Sequence, residues 1–208
     1  MPYLVLVRHG QTTWNELGRL TGLTDVELTP KGREEARKAA KTLDAITFGS
    51  AYTSKLKRAQ DTLSEILHEL NQTQLEAVKA EQLNERSYGL LEGKLKEEVR
   101  QHYSEKEWKL LHRGWNFPIP EGETMKDVDS RVIPFYKEHI LTDLKSGKNV
   151  IVAAHGNVLR TLVKYLEDIS DDAITNLEIG NAEVYAYEVS EDGRILAKKI
   201  ENSGSTAI

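Results

Sequence analysis

Five apolar residues in a row, Tyr3-Leu4-Val5-Leu6-Val7, open the chain and stop abruptly at Arg8-His9-Gly10. An unbroken run of strand formers predicts a strand covered on both faces, as in a parallel sheet. The pattern returns at 149–154 and again stops at His155-Gly156. A shorter strand is expected at 50–53. Between these runs the apolar spacing changes to three and four. Thr29-Pro30 has the form of a helix start, Thr as cap and Pro at the first helical position, followed by Ala36, Ala39, Ala40 and Leu43 on one face. Leu63, Ile66, Leu67 and Leu70 predict a helix over 57–70. Val128, Val132 and Phe135 predict another, whose first half Pro134 leaves undetermined. Val158, Leu159, Leu162, Val163 and Leu166 form the stripe of a further helix. The stretches 182–189 and 195–200 read as a closing strand pair joined at Asp192-Gly193.

From about 84 to 120 the pattern dissolves into glycines, prolines and charges. This segment reads as an inserted, partly helical, lid-like excursion with long loops, the kind that carries function. Trp108 and Trp115 are expected to pack it down. The residues from about 202 onward are small and polar and are expected to form a mobile tail. Strands alternating with helices give the α/β class: a three-layer α/β/α arrangement with a mostly parallel central sheet, as a single domain over 1–208.

Composition narrows the chemistry. None of the 208 residues is a cysteine, which excludes disulfides, a thiol nucleophile and a thiolate metal site. The net charge of −5 argues against nucleic acid as a partner. No apolar run is long enough to span a membrane and no basic-flanked signal core is present, so a cytoplasmic protein with no membrane partner is expected. Whether it forms a homo-oligomer is left open.

In open α/β sheets, ligands bind beyond the carboxyl ends of the strands. Two strands here end there in a histidine and a glycine. Either histidine alone can be a hydrogen-bonding strand-end residue; two at equivalent places, one beside Arg8, favour a shared site. With no H-x-H or H-x-x-H pair, a metal is unsupported. An imidazole can also be a nucleophile, and phosphoryl transfer suits it, given arginines that fork onto phosphate oxygens. Arg8 and Arg58 are candidates, and the free amides at the start of the Arg58 helix favour an anion as well. Glu85, among turn residues, is a candidate proton donor, although its residue type and position alone favour a surface carboxylate. His68, His102 and His139 are expected at the surface.

Arg8-His9-Gly10 after a first strand, Arg58-Ala59 in the second helix and His155-Gly156 after a late strand resemble the histidine phosphatase superfamily. Arg8-His9-Gly10-Gln11-Thr12-Thr13-Trp14-Asn15, Thr21-Gly22, Leu83-Asn84-Glu85-Arg86 with Tyr88-Gly89, Gly122-Glu123-Thr124 and Ala154-His155-Gly156-Asn157-Val158-Leu159-Arg160 look like the cofactor-dependent phosphoglycerate mutases within it. The resemblance implies that His9 becomes a phosphohistidine, with Arg8, Arg58 and His155 around the phosphoryl group and Glu85 as general acid and base. It implies phosphate and carboxylate contacts from Asn15, Thr21, Gly22, Gly156 and Asn157, and a far-end grip from Arg86, Tyr88, Lys96, His112 and Arg113. It further implies interconversion of 3-phosphoglycerate and 2-phosphoglycerate, primed by 2,3-bisphosphoglycerate, with a small phosphorylated acid as partner and no metal. The family usually has His at Ser87, a second Arg at His112, and Glu-Ser at Gln11-Thr12, so the balance between mutase and phosphatase is open. A histidine-type phosphatase acting on small phosphate monoesters is the alternative; a non-enzymatic phospho-ligand binder is a third reading.

Overall fold

Along the first strand Leu4 and Leu6 enter one apolar core while Val5 and Val7 enter another. The strand at Val150–Ala154 divides in the same way: Val150, Val152 and Ala154 join the first core, Ile151 and Ala153 the second. Two cores on opposite faces of one sheet explain why these runs lack polar residues.

A computed structural model describes residues 1–201, and the tail expected from 202 lies outside them. The strands are β1 (Tyr3–Arg8), β2 (Ser50–Ser54), β3 (Ala77–Ala80), β4 (Val150–Ala154), β5 (Val184–Val189) and β6 (Ile195–Glu201). They form one sheet in the order β3-β2-β4-β1-β5-β6. The pairs β3–β2, β2–β4 and β4–β1 are parallel, while β5 runs antiparallel to β1 and to β6. The helices are α1 (Thr13–Glu16), α2 (Pro30–Lys41), α3 (Lys57–Glu69), α4 (Lys96–Arg100), α5 (Glu105–Arg113), α6 (Met125–Phe135), α7 (Leu141–Lys145) and α8 (Gly156–Leu166). Apolar residues of α2 and α3 cover one face of the sheet; those of α6 and α8 cover the other. This is the three-layer α/β/α fold, mostly parallel, in a single domain. Thr29 caps α2 by accepting the Gly32 amide, with Pro30 at the first turn.

Three features depart from the periodicity or sharpen it. Strand β3 carries no apolar run, because its Val78 and Lys79 are exposed at the sheet edge. Pro134 sits inside α6, which loosens directly afterwards into a π-helical turn at Tyr136–Ile140 before α7. The excursion at 84–120 contains α4 and α5 and has a small core of its own, with Leu20, Tyr88, Leu91, Val99, Leu111 and Ile119 buried and Trp108 packed against them. Trp115 lies instead beneath the Lys164 ammonium, 4.4 Å from the ring centroid.

The loop after β1 lies directly on the start of α2. A Cβ at Gly10 would overlap the Gly32 carbonyl, and one at Gly32 would overlap the Gln11 backbone. Two facing glycines therefore bring His9 against the helical layer, where a side chain at either would push the loop away.

Candidate active site

His9 follows β1 immediately, and its backbone is fixed on three sides. Its amide donates to the Ala154 carbonyl at 2.9 Å, extending the β1–β4 ladder. The next amide, of Gly10, donates to Thr62 Oγ1 on α3 at 3.0 Å, and the His9 carbonyl accepts from Asn181 Nδ2 at 3.1 Å. The imidazole is 3% exposed, and its Nδ1 lies 2.8 Å from the Gly10 carbonyl. A carbonyl only accepts, so Nδ1 carries the proton and Nε2 keeps its lone pair. Burial first, and then the Arg58 and Arg8 charges, hold this imidazole well below the usual histidine range. A buried neutral histidine with a bare Nε2 is an activated nucleophile in form.

His155 follows β4 and stands at the N-cap position of α8, without a side-chain capping bond. Its ring centroid is 5.2 Å from that of His9. Its Nε2 pairs with Ser54 Oγ at 2.8 Å, while its buried Nδ1 has no protein partner. Burial, then Arg58, lower its pKa well below the usual range.

Arg58 falls on the inward stripe of α3 with Thr62 and Ile66 and is 1% exposed. Its Nη1 and Nη2 donate to the carbonyls of Thr24 and Gly22, both at 2.8 Å, and its Nε is unpartnered. Burial pushes it down to about 10. Arg8 likewise spends Nη1 on the Ile179 carbonyl, at 2.6 Å, and keeps Nε unpartnered. Cations held by carbonyls, with buried donors left over, form a site suited to an anion. The α3 amides contribute less than the sequence suggests, because the Lys57 amide already donates to Asp25 Oδ1.

Glu85 is 8% exposed. Its Oε1 accepts the Arg86 amide at 2.8 Å and the Asn157 amide, in the first turn of α8, at 3.2 Å. A Cβ at Gly156 would lie 3.6 Å from Arg8 Nε and 3.8 Å from Glu85 Oε2, so this glycine separates the guanidinium from the carboxylate.

All of these residues except His155, which is fully buried, line a cleft of about 740 Å³, counted to its open mouth. Arg8, His9, Arg58 and Glu85 share its lining with Asn15, Thr21, Gly22, Tyr88, Lys96, His112, Arg113, Gly156 and Asn157. Arg86 is not in the lining. It is fully buried, its guanidinium 4.6 Å over the Tyr88 ring, and its Nη2 donates to the Leu111 and His112 carbonyls in the last turn of α5. It thus anchors α5 from behind the wall. Three charged lining residues were not singled out from sequence as site residues: Arg19, Arg160 and Glu178. Arg160 is 4% exposed, orients Asn157 through its Oδ1 at 3.0 Å, and keeps a buried, unpartnered Nε. His112 is pushed down to about 3 by burial and by Lys96, Arg86, Arg113 and Arg160, so it is neutral. His68, His102 and His139 are exposed. Among the described residues no group of three or more His, Asp or Glu could hold a metal ion, and no helix is long and apolar enough to cross a membrane.

The profile of the histidine phosphatase superfamily (branch 1) matches residues 4–202. The chain belongs to the histidine phosphatase superfamily. A superfamily relative from Parvibaculum lavamentivorans, named 2,3-bisphosphoglycerate-dependent phosphoglycerate mutase, is 40% identical over 199 residues, 95% of each chain. A phosphoglycerate mutase structure from Bacillus anthracis superimposes with a TM-score of 0.74 at 26% identity, over 97% of this chain and 92% of that one. A mycobacterial glucosyl-3-phosphoglycerate phosphatase shares the fold, with a TM-score of 0.79 at 23% identity over 97% of both chains. As a member of the histidine phosphatase superfamily the chain is an enzyme of phosphoryl transfer on small phosphate esters.

Proposed function

We propose that the protein interconverts 3-phosphoglycerate and 2-phosphoglycerate through a phosphohistidine on His9, primed by 2,3-bisphosphoglycerate. The observation that carries this reading is the division of the cleft into two cationic ends. Arg8 and Arg58 flank the histidine pair, whereas Lys96, Arg113 and Arg160 lie with His112 and α5. A ligand with one anionic group has no use for the second end. Among the buried, unpartnered nitrogens, those of residues lining the cleft fit a doubly anionic ligand too: Arg8 Nε and Arg58 Nε beside His9, Arg160 Nε beside His112; those of Arg86 and His155 lie outside the lining. The mutase name of relatives such as the one from Parvibaculum lavamentivorans supports the same reading.

In this mechanism His9 Nε2 forms the bond to phosphorus as the bond to the ester oxygen breaks. Arg8, Arg58 and His155 take the charge of the equatorial oxygens. Glu85 gives its proton to the leaving oxygen and recovers one from the hydroxyl that attacks on return. Asn15 presents its amide nitrogen to the cleft, because its Oδ1 is taken by the Thr12 amide and Asn181 Nδ2. Lys96 and Arg113 hold the far group while the ligand reorients.

A phosphatase reading is favoured by one feature: His112 is uncharged where the resembled mutases carry a second arginine. The test is a single assay with 3-phosphoglycerate and 2,3-bisphosphoglycerate that follows 2-phosphoglycerate and free phosphate together. Faster release of phosphate than of 2-phosphoglycerate would make this enzyme a phosphatase. Labelled bisphosphate should leave an acid-labile, base-stable label that His9→Ala abolishes.

A further inference from the structure

Five of the six cations lining the cleft (Arg8, Arg19, Arg58, Lys96 and Arg160) have no carboxylate within ion-pair distance among the described residues. Arg8, Arg19, Arg58 and Arg160 are held by carbonyls or an amide oxygen instead. The sixth, Arg113, is different: Glu178 Oε2 lies 2.5 Å from its Nη2. Glu178 also lines the cleft, on the segment that leads into β5, and that segment is fixed by the Arg8 bond to the Ile179 carbonyl. The pair therefore joins the end of α5 to the segment that follows 173–176, both on the cleft lining. It is not the only connection there. Lys109 Nζ donates to Asn176 Oδ1, and Arg160 Nη2 bridges the Arg113 and Ile174 carbonyls.

We propose that Glu178 is a specificity-determining residue, an internal carboxylate that occupies Arg113 and competes with the distal anionic group of the ligand. The inference rests on the mutase reading of the cleft and deepens it. A second phosphate that takes Arg113 Nη2 must displace Glu178, and one that approaches the rest of the guanidinium meets the Glu178 charge beside it. Arg113 is 33% and Glu178 67% exposed, so their bond is weak enough for a dianion to break. Glu178 thus acts as a discount on distal affinity, which shortens retention of a bisphosphorylated ligand and raises the share lost to water. The phosphoryl end, at Arg8 and Arg58, is untouched.

The test is equilibrium binding of 2,3-bisphosphoglycerate and of inorganic phosphate, in a His9→Gln background that cannot accept the phosphoryl group. Adding Glu178→Gln keeps the size and the other links between α5 and 173–176. It should tighten bisphosphate binding about three- to tenfold, the range expected for removing an exposed ion-pair competitor and its repulsion. Inorganic phosphate should change less than twofold. Adding Arg113→Ala should remove most of that gain. Unchanged or weaker bisphosphate binding in Glu178→Gln overturns the proposal, as does equal tightening of both ligands. The two readings separate cleanly. If the His9→Gln protein prefers bisphosphate to phosphate and Glu178→Gln changes nothing, only the role of Glu178 fails. If no preference exists before or after the substitution, the mutase reading fails with it.

Discussion

The imidazoles of His9 and His155 lie 5.2 Å apart, tilted by 59°, and both are held neutral by burial and by the arginines around them. His112 is neutral for the same reasons. All three folded values lie below the unfolded value of about 6.5. As pH falls through that value the unfolded chain takes up protons that the native protein refuses, so stability falls with it. Each histidine contributes about 1.4 kcal/mol per pH unit, roughly 4 for the three together, until the native protein also protonates. Urea midpoints should therefore drop steeply between pH 6.5 and 5. A flat profile there would show that the cleft binds protons while folded.

Glu85→Gln should separate proton transfer from structure. A glutamine Oε1 can still accept the Arg86 and Asn157 amides, at the places where Glu85 now does. The fold should persist and KM should change little, while kcat falls about 10²- to 10⁴-fold. Near-normal turnover would reduce Glu85 to a structural residue.

Arg131 has a quieter role. Its guanidinium makes five hydrogen bonds, to both Glu123 carboxylate oxygens and to the Gln82, Asn84 and Glu85 carbonyls. Glu123 in turn accepts the Ser87 amide at 2.9 Å. The turn carrying Glu85 is thus fastened from α6, and Arg131 is a positioning residue. Arg131→Met should lower kcat by up to about 10²-fold, the scale of a misplaced catalytic group, with a smaller change in KM. Arg131→Lys should rescue only part of this, since an ammonium cannot reproduce the fork. Equal losses of kcat and of folded protein would indicate a purely structural role.

The two strand–His–Gly endings were legible because buried parallel strands have an unmistakable pattern, and their polar endings mark the ligand edge. The closing hairpin and the stripes of α3 and α8 were legible on the same principle. Arg58 and Glu85 were candidates by residue type and place, but pattern alone did not set them apart from surface residues, and the family resemblance was needed to assign them roles. Arg58 is buried because its position, four before Thr62, falls on the inward stripe; the periodicity contained this, but a charge there reads as an interruption. Glu178 lies in an irregular segment, and its approach to Arg113 depends on how 173–179 meets α5. No local spacing encodes that. Arg86 shows the converse: its motif was plain, yet its charge serves α5 and the Tyr88 ring from behind the cleft wall.

The pairing of β1 with β4 also decides when the cleft can exist. Tyr3 donates to Asn149 across 146 residues of chain, and the neighbouring ladder carries both histidines. Contacts this remote close late, because the loop entropy is lost before the pairing rewards it. A nascent chain grown as far as 148 already holds His9, Arg58 and Glu85, but not the strand that sets the first against its partner. Catalytic competence should therefore arrive in one step on refolding, together with the last protected amides of the central sheet. Regained activity would then time the closing of the whole sheet, not the maturation of any loop around the cleft.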